Sequence, residues 1–506
     1  MTAPALPIGH NLADLLAGLV QVAPAQQRSV TGLALDSRQV RPGSLFAAVA
    51  GSQRHGLEFV AQALQRGAAA VVYEPDSRAN AAAAERACAA AGVPLLAVPG
   101  LGQSLSLIAG RFFDHPSRGL TLLGVTGTDG KTSVSQFIVQ ALSETAPCGV
   151  IGTLGYGQLG SLEPASHTTP DAIRLQQLLN DMRGSGIRYV AMEVSSHALD
   201  QGRVAALRFR VAVLTNLSRD HLDYHGSQEA YAAAKARLFA MPGLEHAILN
   251  ADDEFGRRLL ASLPDGVRAL TYSLSPAAGA DLVCQKLHAR PNGLELRLRT
   301  PFGGAELSLP LLGRFNAANA LAALGALLAL EVPLPEAVRR LQRLRPVAGR
   351  MQRLGGGGQP QVVIDYAHTP AALAAALDAV REHTEGRVWC VFGCGGERDA
   401  GKRAAMGAVA DAKADVIVIT DDNPRREDPE AIFADILAGV QRQRPQLVHD
   451  RAAAIRLALE QAEAGDTVLI AGKGHEDYQL VGERRLAFND AAVAVAVLQE
   501  RAAWID

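Results

Sequence analysis

At residues 120–133 an apolar run leads into Gly127-Thr128-Asp129-Gly130-Lys131-Thr132-Ser133 and then into a helical stretch. A strand that ends in glycines and restarts as a helix constrains the fold more than any other feature of this chain. The glycines let successive backbone N–H groups turn toward an anion, and the helix N-terminus adds its dipole. Lys131 supplies a point charge for terminal phosphates, and the Thr132 hydroxyl can face Mg²⁺. The segment predicts a mostly parallel α/β architecture that binds a nucleoside triphosphate. The strict Walker spacing fails, because Val125 holds the first-glycine position. The competing reading is a Gly-rich turn capped by Thr128 or Asp129; Gly-Lys-Thr in this context argues against it.

The same strand–polar loop–helix grammar runs on at residues 189–194, 211–214 and 247–249. An insertion, residues 282–309, carries Pro291-Asn292-Gly293 before alternating Leu294, Leu296 and Leu298, a hairpin signal. An apolar helix follows at residues 316–330. Pro346 and the glycines at 355–358 mark a boundary. Beyond it, strands at 362–364, 388–392, 416–420 and 468–471 each end in a dense polar loop: 365–368, 393–399, 421–426 and 472–477. Ligands in such sheets bind beyond the carboxyl ends of the strands, so the four loops are expected to form one wall of a site. Before residue 99 a smaller α/β segment is expected, with apolar runs at 45–50, 68–73 and 94–98 and an Ala-rich helix at 80–91. Three domains follow, 1–99, 100–346 and 347–506, as 506 residues would suggest.

A second glycine pattern, Gly155, Gly157 and Gly160, has the spacing of a dinucleotide loop. That motif must open a helix, whereas this one runs into Glu163-Pro164, so a flexible turn is expected.

Composition narrows the partners. Lys and Arg number 49 against 51 Asp and Glu, a net charge of −2, so no global basic field recruits nucleic acid. Five scattered cysteines, Cys88, Cys148, Cys284, Cys390 and Cys394, argue for a reducing compartment and against a disulfide framework. No apolar run is long enough to span a bilayer, and no signal peptide is evident. A cytoplasmic monomer acting on small molecules is expected.

Taken in order, Gly127-Thr128-Asp129-Gly130-Lys131-Thr132, Glu193-Val194-Ser195-Ser196-His197, Asp220-His221-Leu222-Asp223, the segment from Tyr231 to Lys235, the segment from Asn316 to Asn319, Gly349-Arg350 and Asp365-Tyr366-Ala367-His368-Thr369-Pro370 resemble the motif series of the Mur ligase family. The resemblance extends from about Leu35 to Gln479. It implies a UDP-substrate domain, a central P-loop ATPase domain and a C-terminal Rossmann-like domain. Leu35-Asp36-Ser37-Arg38, Ser166-His167-Thr168-Thr169-Pro170, Gly472-Lys473-Gly474-His475-Glu476 and above all Asp422-Asn423-Pro424-Arg425 resemble the branch that adds meso-diaminopimelate to the D-glutamate of UDP-N-acetylmuramoyl-L-alanyl-D-glutamate. Two positions depart from the pattern: Asp129 stands where Asn is usual, and His167 where Asn often precedes Thr-Thr.

The resemblance also implies roles. ATP would be held by Gly127, Thr128, Asp129, Gly130, Lys131, Thr132 and Ser133, with Asn319, Arg350, Asp365 and His368. On spacing alone, Asn319 reads equally as an N-cap or a satisfied buried amide. Mg²⁺ would be held by Thr132, Glu193, His221 and Lys235, the last as a carbamate (N6-carboxylysine). Catalysis would rest on Lys131, Glu193, His221 and Lys235. His221 and His225 could also suggest zinc on a helix, but flanking acids and nucleotide chemistry favour Mg²⁺. The UDP-substrate would meet Leu35, Ser37, Ser52, Gln53, Arg54, His167, Thr168, Thr169, Ser195, Gln201 and Arg203; Ser37 reads equally as a turn cap. Diaminopimelate would meet Arg398, Asp422, Asn423, Pro424, Arg425, Gly472 and Glu476. Forming an amide from a carboxylate requires activation, which the family achieves with an acyl phosphate. The alternatives are a lysine-adding relative, a folylpolyglutamate synthetase and, from a different class, a P-loop switch.

Overall fold

The computed structural model describes residues 9–51, 54–76, 80–277 and 279–505. The chain packs as two compact units, residues 1–131 with 142–270, and residues 132–141 with 271–506.

The first unit holds two large sheets, beside a two-stranded pairing of His10–Asn11 with Ser29–Val30. Strands Gly32–Ala34, Ser44–Ala48, Ala70–Tyr73 and Leu95–Ala97 lie side by side, all parallel. The helix Ala81–Ala91 ends at Gly92, whose φ of 64° supplies the left-handed C-cap. The larger sheet orders its parallel strands Cys148–Gly152, Tyr189–Glu193, Thr121–Thr126, Val211–Leu214 and His246–Asn250. The chain runs outward from Thr121–Thr126 in one direction and then the other, so that strand sits at the switch point where α/β sheets open a crevice. Gly155–Gln158 and Ser161–Glu163 form an antiparallel hairpin beside Cys148–Gly152. No helix follows the second glycine pattern, as its context implied, but in place of the expected flexible turn Gly155 and Gly157 lie in a paired strand and only Gly160 is in the turn.

The second unit begins with the insertion. Leu282–Arg290, Gly293–Thr300 and Gly303–Leu309 form an antiparallel meander, with Arg290 paired to Gly293 across Pro291-Asn292. Helix Arg314–Ala329 is buried around almost its whole circumference. The last sheet orders Gln352–Gly355, Gln361–Asp365, Thr467–Ala471, Val388–Phe392, Val416–Ile419 and Gln446–Leu447; all neighbours are parallel except the first pair.

Side chains alternate between its two faces. Val363, Cys390, Phe392, Ile417 and Leu469 enter one apolar core; Val362, Ile364, Trp389, Val391, Val418 and Ile470 enter the other. This period of two, with both faces covered, is why these strands read as unbroken apolar runs. Helices start where polar caps stand. Thr369 and Asp428 cap helices that open with Pro370 and Pro429, and Asp450 caps Arg451–Gln461. Among the described residues no helix is long and apolar enough to cross a membrane. The five cysteines are buried free thiols.

Candidate active site

In the first unit the phosphate loop is stitched to the loop after the neighbouring strand. Asn216 O accepts from Thr128 N at 2.9 Å, Asn216 Oδ1 accepts from Asp129 N at 3.0 Å, and Thr215 Oγ1 donates to Asp129 O at 2.5 Å. Gly127 has φ of 147° and lies against Thr215, so a Cβ there would overlap the threonine hydroxyl. The Asp129 side chain is exposed while both its backbone groups are used; the departure from Asn thus sits on the solvent side. Lys131 Nζ curls back to donate to Gly127 O at 2.9 Å and Thr128 O at 2.8 Å.

A second lysine reaches the same oxygen. Lys235, on helix Gln228–Ala236, is 1% exposed and its Nζ donates to Gly127 O at 2.7 Å. It lies 4.4 Å from the centre of the Tyr231 ring. Burial, with Lys131 adding repulsion, pulls its amine down to about 6. Tyr231 in turn touches Thr128 Oγ1 at 3.2 Å, and His221 and His225 stand 6.1 and 5.3 Å from its ring. His221 is left-handed at φ 52° and caps the short helix Leu222–His225. His197 packs against His221 at 4.9 Å and Tyr224 at 4.2 Å, and burial lowers its pKa.

Glu193 ends its strand 1% exposed. Its carboxylate accepts from Thr153 N at 2.8 Å and Thr153 Oγ1 at 3.2 Å. Gly152 leaves room for it: a Cβ there would overlap Oε1. From Glu193 a polar chain extends through the residues expected to meet the UDP-substrate. Thr153 Oγ1 meets Thr168 Oγ1 at 3.0 Å, and Thr169 Oγ1 donates to Glu193 O at 2.8 Å. Ser195 N donates to Thr169 Oγ1 at 3.0 Å. Arg203 donates to Thr169 O at 2.7 Å and grips Gln201 Oε1 at 2.9 and 2.6 Å. The structure thus brings Thr168, Thr169, Ser195, Gln201 and Arg203 together. His167 is exposed, and its backbone is fixed by the Tyr156 hydroxyl.

In the smaller sheet Leu35 is half-buried. The competing reading of Ser37 as a turn cap does not hold. Asp36 is the cap, accepting from Arg38 N at 2.9 Å, while buried Ser37 donates to Gln62 Oε1 at 2.6 Å. Arg54 pairs with Glu58 at 2.8 Å and covers the Phe59 ring. Ser52 and Gln53 lie outside the described residues.

In the second unit Thr132 and Ser133 are each 7% exposed at the start of helix Lys131–Leu142. Asn319 is a buried amide inside helix Arg314–Ala329, donating to Asn316 Oδ1 at 3.1 Å; it is not a cap. Arg350 lies over the Tyr366 ring at 4.7 Å, and its buried Nε has no hydrogen-bond partner among the described residues. Asp365 accepts from Met351 N at 2.8 Å, and burial raises its pKa above the carboxylate norm. His368 is exposed; its Nδ1 meets Tyr366 O at 2.8 Å.

Four adjacent parallel strands of the C-terminal sheet put their following loops at one edge. Gly472 N donates to Asp365 O at 3.1 Å and Gly396 N to Asn423 O at 3.0 Å, joining loops distant in sequence. Asn423 is 4% exposed: its amide donates to Glu476 Oε2 at 3.0 Å and accepts from Leu480 N at 2.9 Å and Lys473 Nζ at 3.2 Å. Lys473, wholly buried, also pairs with Glu476 at 3.1 Å. Asp422 is buried beside Gly472, and burial raises its pKa. Arg425 is left-handed at φ 54° and half-buried, with Nη1 donating to Gly396 O at 2.7 Å. A freely solvated Arg425 on a simple Asn-Pro turn is therefore excluded. Arg398 is exposed. Thr153, Tyr231 and Lys473 were not singled out from the sequence. Lys473 sat inside a quoted motif; Thr153 carried no signal.

Residues 29–113 match the Mur ligase family catalytic-domain model, 125–327 the Mur ligase middle domain, and 349–474 the Mur ligase glutamate ligase domain. A UDP-N-acetylmuramoyl-L-alanyl-D-glutamate--2,6-diaminopimelate ligase of Alkalilimnicola ehrlichii is 52% identical over 97% of this chain and 99% of its own length. The like-named protein of Pseudomonas aeruginosa is 51% identical over 96% and 98%. The chain belongs to the Mur ligase family. A solved structure of a ligase with the same name superposes with a TM-score of 0.73 at 36% identity, covering 98% of this chain and 100% of that one. A folylpolyglutamate synthase of Mycobacterium tuberculosis complexed with ADP and AMPPCP, 18% identical, covers 73% of this chain and 92% of its own with a TM-score of 0.59, a likeness of fold. Family membership makes the three sheets the N-terminal, central and C-terminal layers of the three-domain α/β Mur architecture.

Proposed function

We propose that this Mur ligase joins meso-diaminopimelate to the D-glutamate of UDP-N-acetylmuramoyl-L-alanyl-D-glutamate in the cytoplasm, with domains close to 1–99, 100–346 and 347–506. The glutamate carboxylate attacks the γ-phosphorus of ATP, giving an acyl phosphate and ADP. The diaminopimelate amine then attacks the acyl carbon, loses a proton and expels inorganic phosphate. Both steps bring anions together, so positioned cations carry much of the barrier reduction.

In the first unit Lys131 exchanges the carbonyl oxygens of its own loop for phosphate oxygens, joined by the backbone N–H of Gly130 at the helix start, while the N–H groups of Thr128 and Asp129 stay on Asn216 and hold the loop's shape. Thr168, Thr169, Ser195, Gln201 and Arg203 orient the muramoyl dipeptide. In the second unit Asn319, Arg350, Asp365 and His368 hold the nucleotide; the unpartnered Arg350 Nε is a donor that a ligand oxygen can satisfy.

In the first unit Glu193, His221 and a carboxylated Lys235 would suit Mg²⁺, being mostly hard oxygens; in the second the Thr132 hydroxyl is a donor of the same kind. Among the described residues no three His, Cys, Asp or Glu side chains converge on one point, so phosphate oxygens belong to this reading. Bound, the ion would offset phosphate charge. Lys235 suits carboxylation because its amine, held near 6, is neutral at physiological pH. The neutral nitrogen adds to CO₂, forms an N–C bond and releases one proton, leaving an anionic carbamate.

The observation that supports diaminopimelate most is Arg425, held half-buried with one guanidinium nitrogen committed to Gly396 and set beside the Asn423–Lys473–Glu476 network. A guanidinium so placed suits the distal carboxylate that lysine lacks. Phosphate release, measured with ATP and the UDP-dipeptide against meso-diaminopimelate, L-lysine and no amine, tests the reading. Release is expected to require both acyl and amine substrates. Diaminopimelate should be favoured by at least about 100-fold in kcat/KM, and Arg425→Ala should remove most of that preference. Comparable efficiency with L-lysine would overturn the substrate; ATP hydrolysis independent of both substrates would favour a switch.

A further inference from the structure

Arg403, 1% exposed, is with Arg451 one of the two largest fully buried side chains among the described residues, and no step above uses it. It stands on helix Gly401–Lys413, just after the loop at 393–399. One end of its guanidinium grips Glu427 with two nitrogens, Nη1 to Oε1 at 2.6 Å and Nη2 to Oε2 at 2.8 Å. Nη2 also donates to Gly395 O at 3.2 Å, and Nη1 to Asp435 Oδ2 at 2.9 Å. Glu427 passes the restraint on, since its Oε2 accepts from Glu397 N at 2.7 Å. Glu397 is itself left-handed at φ 52°, a backbone state that costs energy for a residue with a Cβ and persists where neighbours enforce it.

These contacts tie together two loops that follow different strands. One holds Arg398; the other holds Arg425, also left-handed. Direct contacts between the loops complete the frame: Gly396 N to Asn423 O at 3.0 Å and Arg425 Nη1 to Gly396 O at 2.7 Å. Gly396 fits only without a side chain, because a Cβ would overlap Pro424 O. Arg403 pulls Glu427 far below the usual carboxylate range, to about 2, so the clamp stays ionised at any working pH.

We infer that the Arg403–Glu427 pair is a positioning device for amino-acid selection, which fixes the separation and aim of Arg398 and Arg425 without touching substrate itself. The inference rests on the diaminopimelate reading above. A two-pronged grip on a carboxylate needs both arginines held to a fraction of an ångström. Each sits on a loop whose own backbone state is strained, so the loops need a common brace. The planar, doubly engaged guanidinium supplies a fixed geometry that a lysine ammonium cannot.

The test uses the full-length enzyme with three variants. Glu427→Gln keeps the shape and weakens the two-pronged charge contact. Arg403→Lys keeps charge and loses the fork. Asp435→Asn removes a charge that shares Nη1 with Glu427 but stands on helix Pro429–Leu437, outside both loops. Initial rates give KM separately for diaminopimelate, UDP-dipeptide and ATP. Glu427→Gln and Arg403→Lys are expected to raise KM for diaminopimelate roughly tenfold and to narrow its preference over L-lysine, with KM for the other two substrates within about twofold. Asp435→Asn should leave all three within about twofold. A Glu427→Gln enzyme with unchanged KM for diaminopimelate would overturn the inference, as would a parallel rise in all three constants, which marks a merely structural role. Failure of the unsubstituted enzyme to prefer diaminopimelate over L-lysine is a separate result: it removes the substrate reading and is seen before any variant is made.

Discussion

On the function proposed above, the phosphate loop and the C-terminal wall would each hold an anionic group, and they are built for it in opposite ways. Residues 127–132 are contiguous, and most of their capacity is backbone: two positive-φ glycines, a helix start, and one lysine four residues from the carbonyl it now contacts. The wall draws on loops after four strands, and its charged groups are fixed by other charged groups: Lys473 by Glu476, Arg403 by Glu427, Arg451 by Asp490. A backbone site tolerates surface change, as exposed Asp129 illustrates. A side-chain site is set by partners far away in sequence, and each partner is a point of failure. Buried pairs of this kind add little net stability but penalise the loss of one member heavily.

The sharpest way to break this contrast is Lys131→Ala. If the loop's backbone suffices to hold phosphate, nucleotide binding should persist while turnover falls by roughly 10²–10³-fold or more, because the lost cation acts on charge that develops during transfer. The protein should remain folded, since the substitution removes hydrogen bonds from Nζ to two carbonyls of its own loop, Gly127 O and Thr128 O, and leaves the sheet untouched. Steady-state kinetics with circular dichroism as a folding control decides it; near-normal turnover would remove the assigned role of the first unit.

Lys235 comes next and has two readouts. Lys235→Ala should lose about 100-fold in kcat and regain part of it with added formate or acetate, whose carboxylate replaces the carbamate oxygens. The unmodified amine also leaves a pH signature. Its folded value, about 6, lies below the ordinary 10.5, so between those pH values the unfolded chain binds a proton that the folded chain refuses. That penalty grows as pH falls from 10.5 toward 6, and stability rises with pH across the same window. Lys235→Met should flatten this slope in thermal unfolding at fixed CO₂-free conditions. An unchanged slope would mean the amine is charged or already carboxylated.

How far each region was legible follows from the same contrast. The strand–loop–helix at 121–142 could be read directly because its chemistry and its spacing lie within one short segment. The C-terminal strands were legible as apolar runs, since both sheet faces are covered, and Gln361–Asp365 and Val388–Phe392 fall within a residue of expectation. The resemblance supplied Arg425, whose left-handed backbone and contact with Gly396 no local pattern announces. Arg403 and Glu427 were illegible: on sequence each is an ordinary charge on or near a helix, and only tertiary packing buries the guanidinium. At Ser37 only the competing reading, a turn cap, gives way: Asp36 is the cap, and the partner Ser37 takes instead, Gln62, lies 25 residues away, beyond any local pattern.

The smallest effect probes whether the wall's dependence on ionised partners extends to its rim. His449 stacks on Phe433, ring centres 4.2 Å apart, and places Nδ1 3.0 Å from Asp421 Oδ1 and Nε2 3.0 Å from Glu430 Oε1. Both nitrogens can donate at once only as imidazolium, and the two carboxylates raise its pKa above the ordinary 6.5. Burial holds Asp421 above its usual value despite this partner. A raised histidine contributes stability that is fully present below pH 6.5 and is lost as pH rises through its folded value. Because the ring is 42% exposed, the contribution should be at most about 1 kcal/mol. His449→Gln should therefore lower the melting temperature most at pH 6, with the difference shrinking by pH 8.5, while the Lys131→Ala variant shows no such trend. A His449→Gln deficit that is constant across that range would assign the residue to stacking on Phe433 rather than to charge, and would confine the ionic framework to the loops nearer Arg425.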